Sequence, residues 1–180
     1  MHVFLTGQVK VGKTTIIDHF LKQSGLSADG FVTSWEPGPD SHTWLELREY
    51  GADNPRYRLA CRRDGRPAPV ENLRQMFDIH GSAILQKAGC HDVIVMDELG
   101  SLEASATLFQ AAVLEHLANR VPVLGVIQPR PNPFLDQIRA TAGIAVLTVT
   151  PENRQQILSW LLEEWLPGSG GWPPRPDSFG

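Results

Sequence analysis

Residues 7–14 of the chain read GQVKVGKT and match the pattern G-x-x-x-x-G-K-[ST] at each fixed position. The apolar run at 3–5 predicts a short strand before this segment. The apolar spacing after it predicts a helix over about 13–24 that ends at Gly25. A glycine-containing loop in this setting turns its backbone N–H groups inward, toward the positive end of the helix dipole. The segment therefore predicts a phosphate-binding loop.

This loop supplies the predicted nucleotide contacts. We expect Lys13 to reach the β- and γ-phosphates, Thr14 to place its hydroxyl on Mg²⁺, and Thr15 to contact an inner phosphate. Lys10 either adds positive charge to the phosphate site or is solvated. The predicted nucleotide-binding residues are Gly7, Gln8, Val9, Lys10, Val11, Gly12, Lys13, Thr14 and Thr15.

The composition narrows the class of protein. The chain has 180 residues, 42% of them hydrophobic and 20% charged, which is enough for one domain with a proper core. No apolar run approaches the roughly 20 residues that span a bilayer, and the N-terminus does not read as a signal peptide. We therefore expect a cytoplasmic protein that does not act at a membrane. The net charge of −4, without a basic run, disfavours a nucleic-acid partner.

Cysteine and histidine spacing predicts no further cofactor. Cys61 and Cys90 form no C-x-x-C pair, so we expect buried free thiols. The six histidines are scattered without H-x₃-H spacing, so no transition-metal site is predicted.

Strand and helix patterns alternate along the rest of the chain. The β-type runs 30–35, 43–48 and 57–61 are separated by turn clusters, and they predict an antiparallel insertion over about 30–63, not a βα crossover. Later segments predict helices over about 69–88, 103–119 and 132–141, strands over 93–96, 121–127 and 144–149, and a last helix, with Thr150 as N-cap and Pro151 at its first position, that runs to about 166.

This pattern predicts an α/β fold of the P-loop NTPase type, with a doubly wound, mainly parallel sheet and an antiparallel β extension after the first helix. We predict one domain over 1–166 and a flexible tail, rich in Pro and Gly, over 167–180. Ligands of such sheets bind at the carboxyl ends of the strands, so residues that directly follow strands are the best candidates for function.

Residues 93–100 read VIVMDELG and form the second motif. An acid after a buried strand is typical of a Walker B segment, in which Asp97 would hold the Mg²⁺ shell opposite Thr14. Glu98 is placed to orient and deprotonate a water in line with the γ-phosphate. The alternative is that both acids only cap a helix. Asp97 and Gly100 also fit the D-x-x-G of GTPases, but no N-K-x-D follows, and the second acid favours an ATPase-like water activator.

Further polar residues are weaker candidates. Glu103 could interact with the dipole of the next helix or stand near the metal. Gln128 ends a strand at the catalytic edge, where a polar side chain can sense the γ-phosphate in P-loop ATPases that have an extra strand between the two Walker strands. The alternative is that Gln128 only begins the following loop. Arg130, Arg139 and Arg154 are candidates for a charge-stabilising arginine finger, Arg130 before the other two. Each of these arginines is alternatively a surface residue.

Together these segments resemble the small P-loop nucleoside-triphosphatases grouped with the human cancer-related nucleoside-triphosphatase. The resemblance covers roughly residues 2–165 and rests on residues 6–15, 30–31, 97–103 and 149–154. It implies slow, Mg²⁺-dependent hydrolysis of nucleoside triphosphates with several bases, and Glu98 as the water activator. The chain departs from the family pattern at residues 8–10, at Ser101, and in the loop after Ile127.

The sequence therefore predicts an enzyme, a Mg²⁺-dependent nucleoside-triphosphate phosphohydrolase with broad or unknown base preference. Lys13 and Glu98 are the predicted catalytic residues, and Thr14 and Asp97 the predicted metal ligands. Two alternatives stay open. One is a P-loop nucleoside or small-molecule kinase, in which Asp97 or Glu98 activates an acceptor hydroxyl beneath a lid formed by 30–63. The other is a nucleotide-dependent binding module with negligible turnover. The oligomeric state is left open.

Overall fold

The structure, a computed structural model, describes residues 1–38, 43–51, 56–63, 66–67 and 70–165. Its strands are β1 (His2–Thr6), β2 (Ala28–Pro37), β3 (Thr43–Glu49), β4 (Arg56–Arg63), β5 (Arg66–Pro67), β6 (Val93–Leu99), β7 (Val123–Ile127) and β8 (Ile144–Thr148). Its helices are α1 (Lys13–Ser24), α2 (Val70–Gln75), α3 (Ser82–Lys87), α4 (Thr107–Ala118), α5 (Pro133–Ala140) and α6 (Arg154–Glu163), with a π-helical segment (Met76–Gly81) joining α2 to α3.

One eight-stranded sheet runs through the described residues in the order β5-β4-β3-β2-β6-β7-β1-β8. The five strands from β2 to β8 in this order are parallel. Their short apolar runs are buried on both faces, because α1 and α6 pack on one face and α2 to α5 on the other. The prediction of a doubly wound, mainly parallel α/β sheet is confirmed. β7 lies between β1 and β6, the two strands that precede the phosphate loop and carry the acidic motif.

The extension after α1 differs in one respect from the prediction. β3 and β4 are antiparallel, as predicted, but β2 pairs in parallel with β6 from Ala28 to Val32. The chain therefore makes a βα crossover from β1 through α1 to β2, and the prediction that excluded one is wrong. The reason lies within β2 itself. Gly30, Phe31 and Val32 are buried like a central strand, whereas the residues that follow are partly exposed like an edge hairpin.

Side chains alternate between the two faces of this extension. Leu45 and Leu47 of β3 belong to the hydrophobic core under α2 to α4. Glu46 and Arg48 point to the opposite face, because neighbouring residues of a strand alternate. Glu46 is only 2% exposed and forms ion pairs with Arg56 at 3.3 Å and Arg58 at 2.7 Å. The extension therefore has one apolar face and one charged face.

Two helices begin later than predicted. α4 starts at Thr107 instead of about 103, because residues 101–105 form turns in which the Glu103 carboxylate accepts a hydrogen bond from the N–H of Gly100. Glu103 is thus outside the first turn of α4. α6 starts at Arg154, because the Asn153 side chain accepts from the N–H of Thr150 and donates to the carbonyl of Thr148. Thr150 is therefore not the N-cap.

The remaining predictions concern the cysteines, the membrane and the tail. Cys90 is exposed, against the expectation of a buried thiol, and its N–H donates to Asp29 at 3.2 Å in a surface turn. The side chain of Cys61 and the predicted tail at 167–180 lie outside the described residues. Within the described ranges, no helix combines the length and the apolar character that crossing a membrane requires.

The contacts of Trp165 place it inside the folded domain, so its substitution tests where that domain ends. It is 4% exposed, its Nε1 donates to the carbonyl of Met1 at 3.1 Å, and its ring centre lies 5.4 Å from that of Phe20. We expect Trp165→Ala to lower the free energy of unfolding by about 3–5 kcal/mol, the usual loss for a buried tryptophan. Deletion of 167–180 is expected to leave it unchanged. Urea unfolding measures both, and a comparable loss in the deletion variant would contradict the predicted boundary.

Candidate active site

A cavity of about 530 Å³ lies at the carboxyl ends of the central parallel strands. Because ligands of open α/β sheets bind at this edge, the cavity is the candidate nucleotide site. Its walls come from the phosphate loop and α1, from β2, from the end of β6, and from the segments after β6 and β7. The lining residues are Val9, Lys10, Gly12, Lys13, Thr14, Thr15, Thr33, Ser34, Trp35, Asp97, Glu98, Leu102, Glu103 and Gln128.

The backbone of the phosphate loop is compatible only with glycine at its first position. Gly7 has a φ of 136°, and a Cβ on it would lie 2.5 Å from the carbonyl oxygen of Val149. The Lys13 ammonium group donates to the carbonyl oxygens of Gly7 at 3.1 Å and Gln8 at 2.8 Å. The lysine is 8% exposed, so its charge is held inside the loop. Lys10, by contrast, is exposed at the rim.

Thr14 and Asp97 meet across the cavity floor. The Thr14 hydroxyl donates to Oδ2 of Asp97 at 2.7 Å, which joins the start of α1 to the end of β6. Burial raises the pKa of Asp97 to about 6, although the Thr14 hydrogen bond opposes the shift. Ionising this carboxylate is therefore unfavourable, because the nearby charge of Lys13 only partly offsets the effect of burial. Mg²⁺ binds through one or two protein oxygens together with substrate phosphates, so this pair of oxygen ligands fits that ion.

Glu98 is held by two neighbours. Its Oε1 accepts a hydrogen bond from Nε2 of Gln128 at 2.6 Å, and its backbone N–H donates to the Thr33 hydroxyl at 3.1 Å. Gln128 in turn packs on Gly100, where a Cβ would come within 2.4 Å of the Gln128 amide carbon. The absence of a side chain at Gly100 therefore lets the Gln128 amide reach Glu98.

Glu103 lies directly behind this segment. It is 1% exposed, and its Oε2 accepts from the N–H of Gly100 at 2.8 Å. Burial raises the pKa of Glu103 to about 7, and the negative charge of Glu98 adds to the shift. The carboxylate fixes the turn between Gly100 and α4, and so supports the chain that carries Asp97 and Glu98.

The three candidate arginines occupy different positions. Arg130 is exposed, outside the cavity lining, and has no hydrogen bond to another described residue. Arg139 donates to the carbonyl of Gln128 at 2.6 Å and to Asp136 at 2.7 Å, which holds the backbone at the end of β7. Arg154 lies against the phosphate loop, with its Cδ 3.2 Å from where a Cβ on Gly12 would stand.

Sequence reasoning missed two polar residues that shape the site. Thr33 on β2 contacts both acidic residues, since its hydroxyl also donates to the carbonyl of Asp97 at 3.4 Å. Asn132 caps α5 through Oδ1, and its Nδ2 donates to the carbonyl of Gly100 at 3.1 Å. The position of Thr33 depends on β2 lying beside β6, which no local pattern shows. The position of Asn132 directly before Pro133 is a sequence signal for helix capping, but its contact with Gly100 has no such signal.

A protein-family model described as NTPase matches residues 2–162 of the chain. The chain belongs to this NTPase family. The family resemblance predicted from the motifs is therefore confirmed. Among relatives, the human protein named "Cancer-related nucleoside-triphosphatase" is 31% identical over 179 residues, which cover 87% of this chain and 92% of that protein.

Two solved structures resemble the NTPase chain along most of their length. The solution structure of a human cancer-related nucleoside triphosphatase has a TM-score of 0.61 and 29% identity, covering 89% of this chain and 95% of that one. The crystal structure of THEP1 from the hyperthermophile Aquifex aeolicus has a TM-score of 0.66 and 24% identity, covering 91% and 99%. The latter likeness shows a shared fold.

The raised pKa of Glu103 predicts a pH-dependent stability. An acid whose pKa is raised by folding stabilises the protein below its unfolded pKa, and this contribution is lost as the pH rises through the folded value. Without Mg²⁺ and nucleotide, we expect Glu103 to lower the free energy of unfolding by at most about 3 kcal/mol between pH 5 and pH 8.

Glu103→Gln is the matched variant, since it keeps an oxygen for the Gly100 N–H and cannot titrate. Urea unfolding at several pH values should show a smaller loss in this variant. Asp97 titrates in the same direction in both proteins, so the difference reports Glu103. Equal pH dependence in the two proteins would contradict the assignment.

Proposed function

We propose that this chain hydrolyses nucleoside triphosphates to the diphosphate and phosphate in the presence of Mg²⁺, with broad or unknown base preference. The observation that carries the proposal is a convergence in one cavity. The phosphate loop with Lys13, the Thr14–Asp97 pair and the Glu98–Gln128 pair all line it. Membership of the NTPase family supports the same reaction.

Binding begins with the phosphate loop. Its N–H groups and the start of α1 provide a site for oxyanions, and Lys13 adds a full positive charge. The two carbonyl oxygens that now accept from Lys13 are neutral. Phosphate oxygens are stronger partners for an ammonium group because hydrogen bonds between opposite charges are stronger. Lys13 is therefore placed to turn from the loop carbonyls to the β- and γ-phosphates, while Thr15 contacts an inner phosphate.

Thr14 and Asp97 would hold Mg²⁺, Asp97 through water or directly. When bound, the ion neutralises charge that develops on the phosphate oxygens during transfer. The positive charge would also keep Asp97 ionised at neutral pH, against the effect of its burial. The Thr14 hydroxyl would offer an oxygen lone pair to the ion, and its O–H can still donate to Asp97.

Glu98 is the group that would activate water. Gln128 occupies Oε1, and Oε2 accepts no hydrogen bond from the described residues, so Oε2 can accept one from a water. As the water oxygen forms its bond to the γ-phosphorus, its proton passes to Glu98. The bond from the γ-phosphorus to the bridging oxygen breaks, and the nucleoside diphosphate leaves with that oxygen. Gln128 acts as a positioning residue, because its amide fixes the direction of the Glu98 carboxylate.

Glu98→Gln tests the chemical step. Phosphate release from ATP, GTP, CTP and UTP with Mg²⁺, without an added acceptor, should fall by ~10²–10⁴-fold, a barrier increase of about 3–5 kcal/mol. Mg²⁺–nucleotide binding should persist. Glu115→Gln, an exposed glutamate on α4, is the matched control and should keep full activity. Unchanged release in Glu98→Gln would remove Glu98 from the mechanism. Binding without release in the native chain would favour the kinase or the binding module.

Lys13→Ala tests the phosphate site separately from the chemistry. Calorimetric titration with the Mg²⁺ complex of ADP should show a loss of affinity of at least about 100-fold, because the charge inside the loop is removed. Lys22→Ala removes an exposed lysine from the other end of α1 and should bind like the native chain. Retained affinity in Lys13→Ala would contradict the proposed role of the loop.

A further inference from the structure

A second cavity of about 380 Å³ adjoins the nucleotide cavity. The two share Thr14, Thr33, Ser34 and Asp97, so they meet at the proposed metal ligands. The outer wall of the second cavity is the charged face of the β extension, which carries Arg48 and Arg56 together with the carboxylates of Glu36 and Glu46. The proposed hydrolysis uses none of the residues on this outer wall.

The strand register places Arg48 in line with Asp97. Asp97 pairs with Val32 on β2, and Val32 pairs with Arg48 on β3. Directly paired residues point to the same face of a sheet, and two strand spacings amount to about 10 Å. An arginine side chain is long enough to extend over much of this distance. Arg48 can thus direct its guanidinium group toward a ligand bound beside Asp97.

Among the charged residues of this face, Arg48 has no ion-pair or hydrogen-bond partner within the described part of the chain. The buried Glu46 forms ion pairs with Arg56 and Arg58. Arg48 is partly exposed and forms neither a hydrogen bond nor an ion pair with the described residues. A guanidinium group offers a planar set of N–H donors that matches the geometry of carboxylate and phosphate oxygens. The carboxylates of the wall are engaged elsewhere, since Glu36 accepts from Ser34 and Glu46 pairs with Arg56 and Arg58. The open partner for Arg48 in this cavity is therefore an oxyanion ligand.

We propose that the second cavity is an oxyanion subsite in which Arg48 binds a phosphate group next to the metal ligands. The proposal rests on the proposed function, because that reaction releases phosphate at the boundary of the two cavities. The phosphate group has two possible sources: the inorganic phosphate leaving after hydrolysis, or a phosphate group on a second substrate. The cavity volume is large enough for either.

In the experiment, the nucleotide cavity is first filled, so that added phosphate can bind only elsewhere. The native chain is saturated with Mg²⁺, ADP and beryllium fluoride, which mimics the γ-phosphate, and inorganic phosphate is then titrated by calorimetry. We expect binding that Arg48→Gln weakens by at least about tenfold, as loss of a charged hydrogen bond implies. Arg48→Lys should restore part of the affinity. Arg120→Gln, which removes an exposed arginine outside both cavity linings, should stay within about twofold.

Phosphate binding that is equal in the native complex and in Arg48→Gln would overturn the proposal. The same titration with Mg²⁺ on Lys13→Ala, without nucleotide, keeps the test independent of nucleotide binding. Arg48-dependent binding there supports the subsite even if hydrolysis fails, and its absence in both settings overturns the subsite alone. The folding of Arg48→Gln is checked by thermal unfolding, in which its unfolding temperature should equal that of the native chain.

A last arm separates the two sources of the phosphate group. Nucleoside monophosphates replace inorganic phosphate in the titration and are also supplied to the enzyme with Mg²⁺ and ATP. Arg48-dependent formation of nucleoside diphosphates, with loss of ATP, identifies the subsite as one for a phosphorylated acceptor. Arg48-dependent binding of inorganic phosphate alone identifies it as a site for the released product. Either result supports the oxyanion subsite.

Discussion

The hydrogen bond from Thr14 to Asp97 is the constraint on which the rest of the site depends. It connects the first turn of α1, and with it the phosphate loop, to the end of β6, although 83 residues separate the two in sequence. The contact forms in a sheet in which a single strand, β7, separates β6 from β1. The order of the parallel strands therefore determines where the proposed metal ligands lie.

Around this pair, the acidic segment is supported by neighbours that hold it from several sides. Thr33 contacts the backbone of Asp97 and Glu98 from β2, and Gln128 contacts the Glu98 carboxylate from β7. Glu103 and Asn132 hold the two backbone groups of Gly100. A carboxylate that has to point at a water molecule benefits from this support, because a small displacement of a catalytic group has a large effect on rate.

Local patterns predicted most of the fold because the signals were strong over short distances. The strand before the phosphate loop, α1 with its end at Gly25, and the buried strand at β6 are confirmed. The errors arose where tertiary contacts override local preference. Glu103 turns back to Gly100 in place of starting α4, and Asn153 takes the capping position that Thr150 was predicted to hold. Arg48 and Thr33 could not be placed from sequence, since their positions relative to Asp97 depend on strand order.

The division of β2 between two parts of the sheet affects how the binding properties of such a protein can change through substitution. Its first half belongs to the parallel core, and its second half begins the hairpin strands that form the far wall of the second cavity. The proposed hydrolytic site and the proposed oxyanion subsite therefore lie on opposite sides of one strand. Under these two proposals, substitutions on β3 and β4 can change what binds in the second cavity, while Lys13, Asp97 and Glu98 keep their positions.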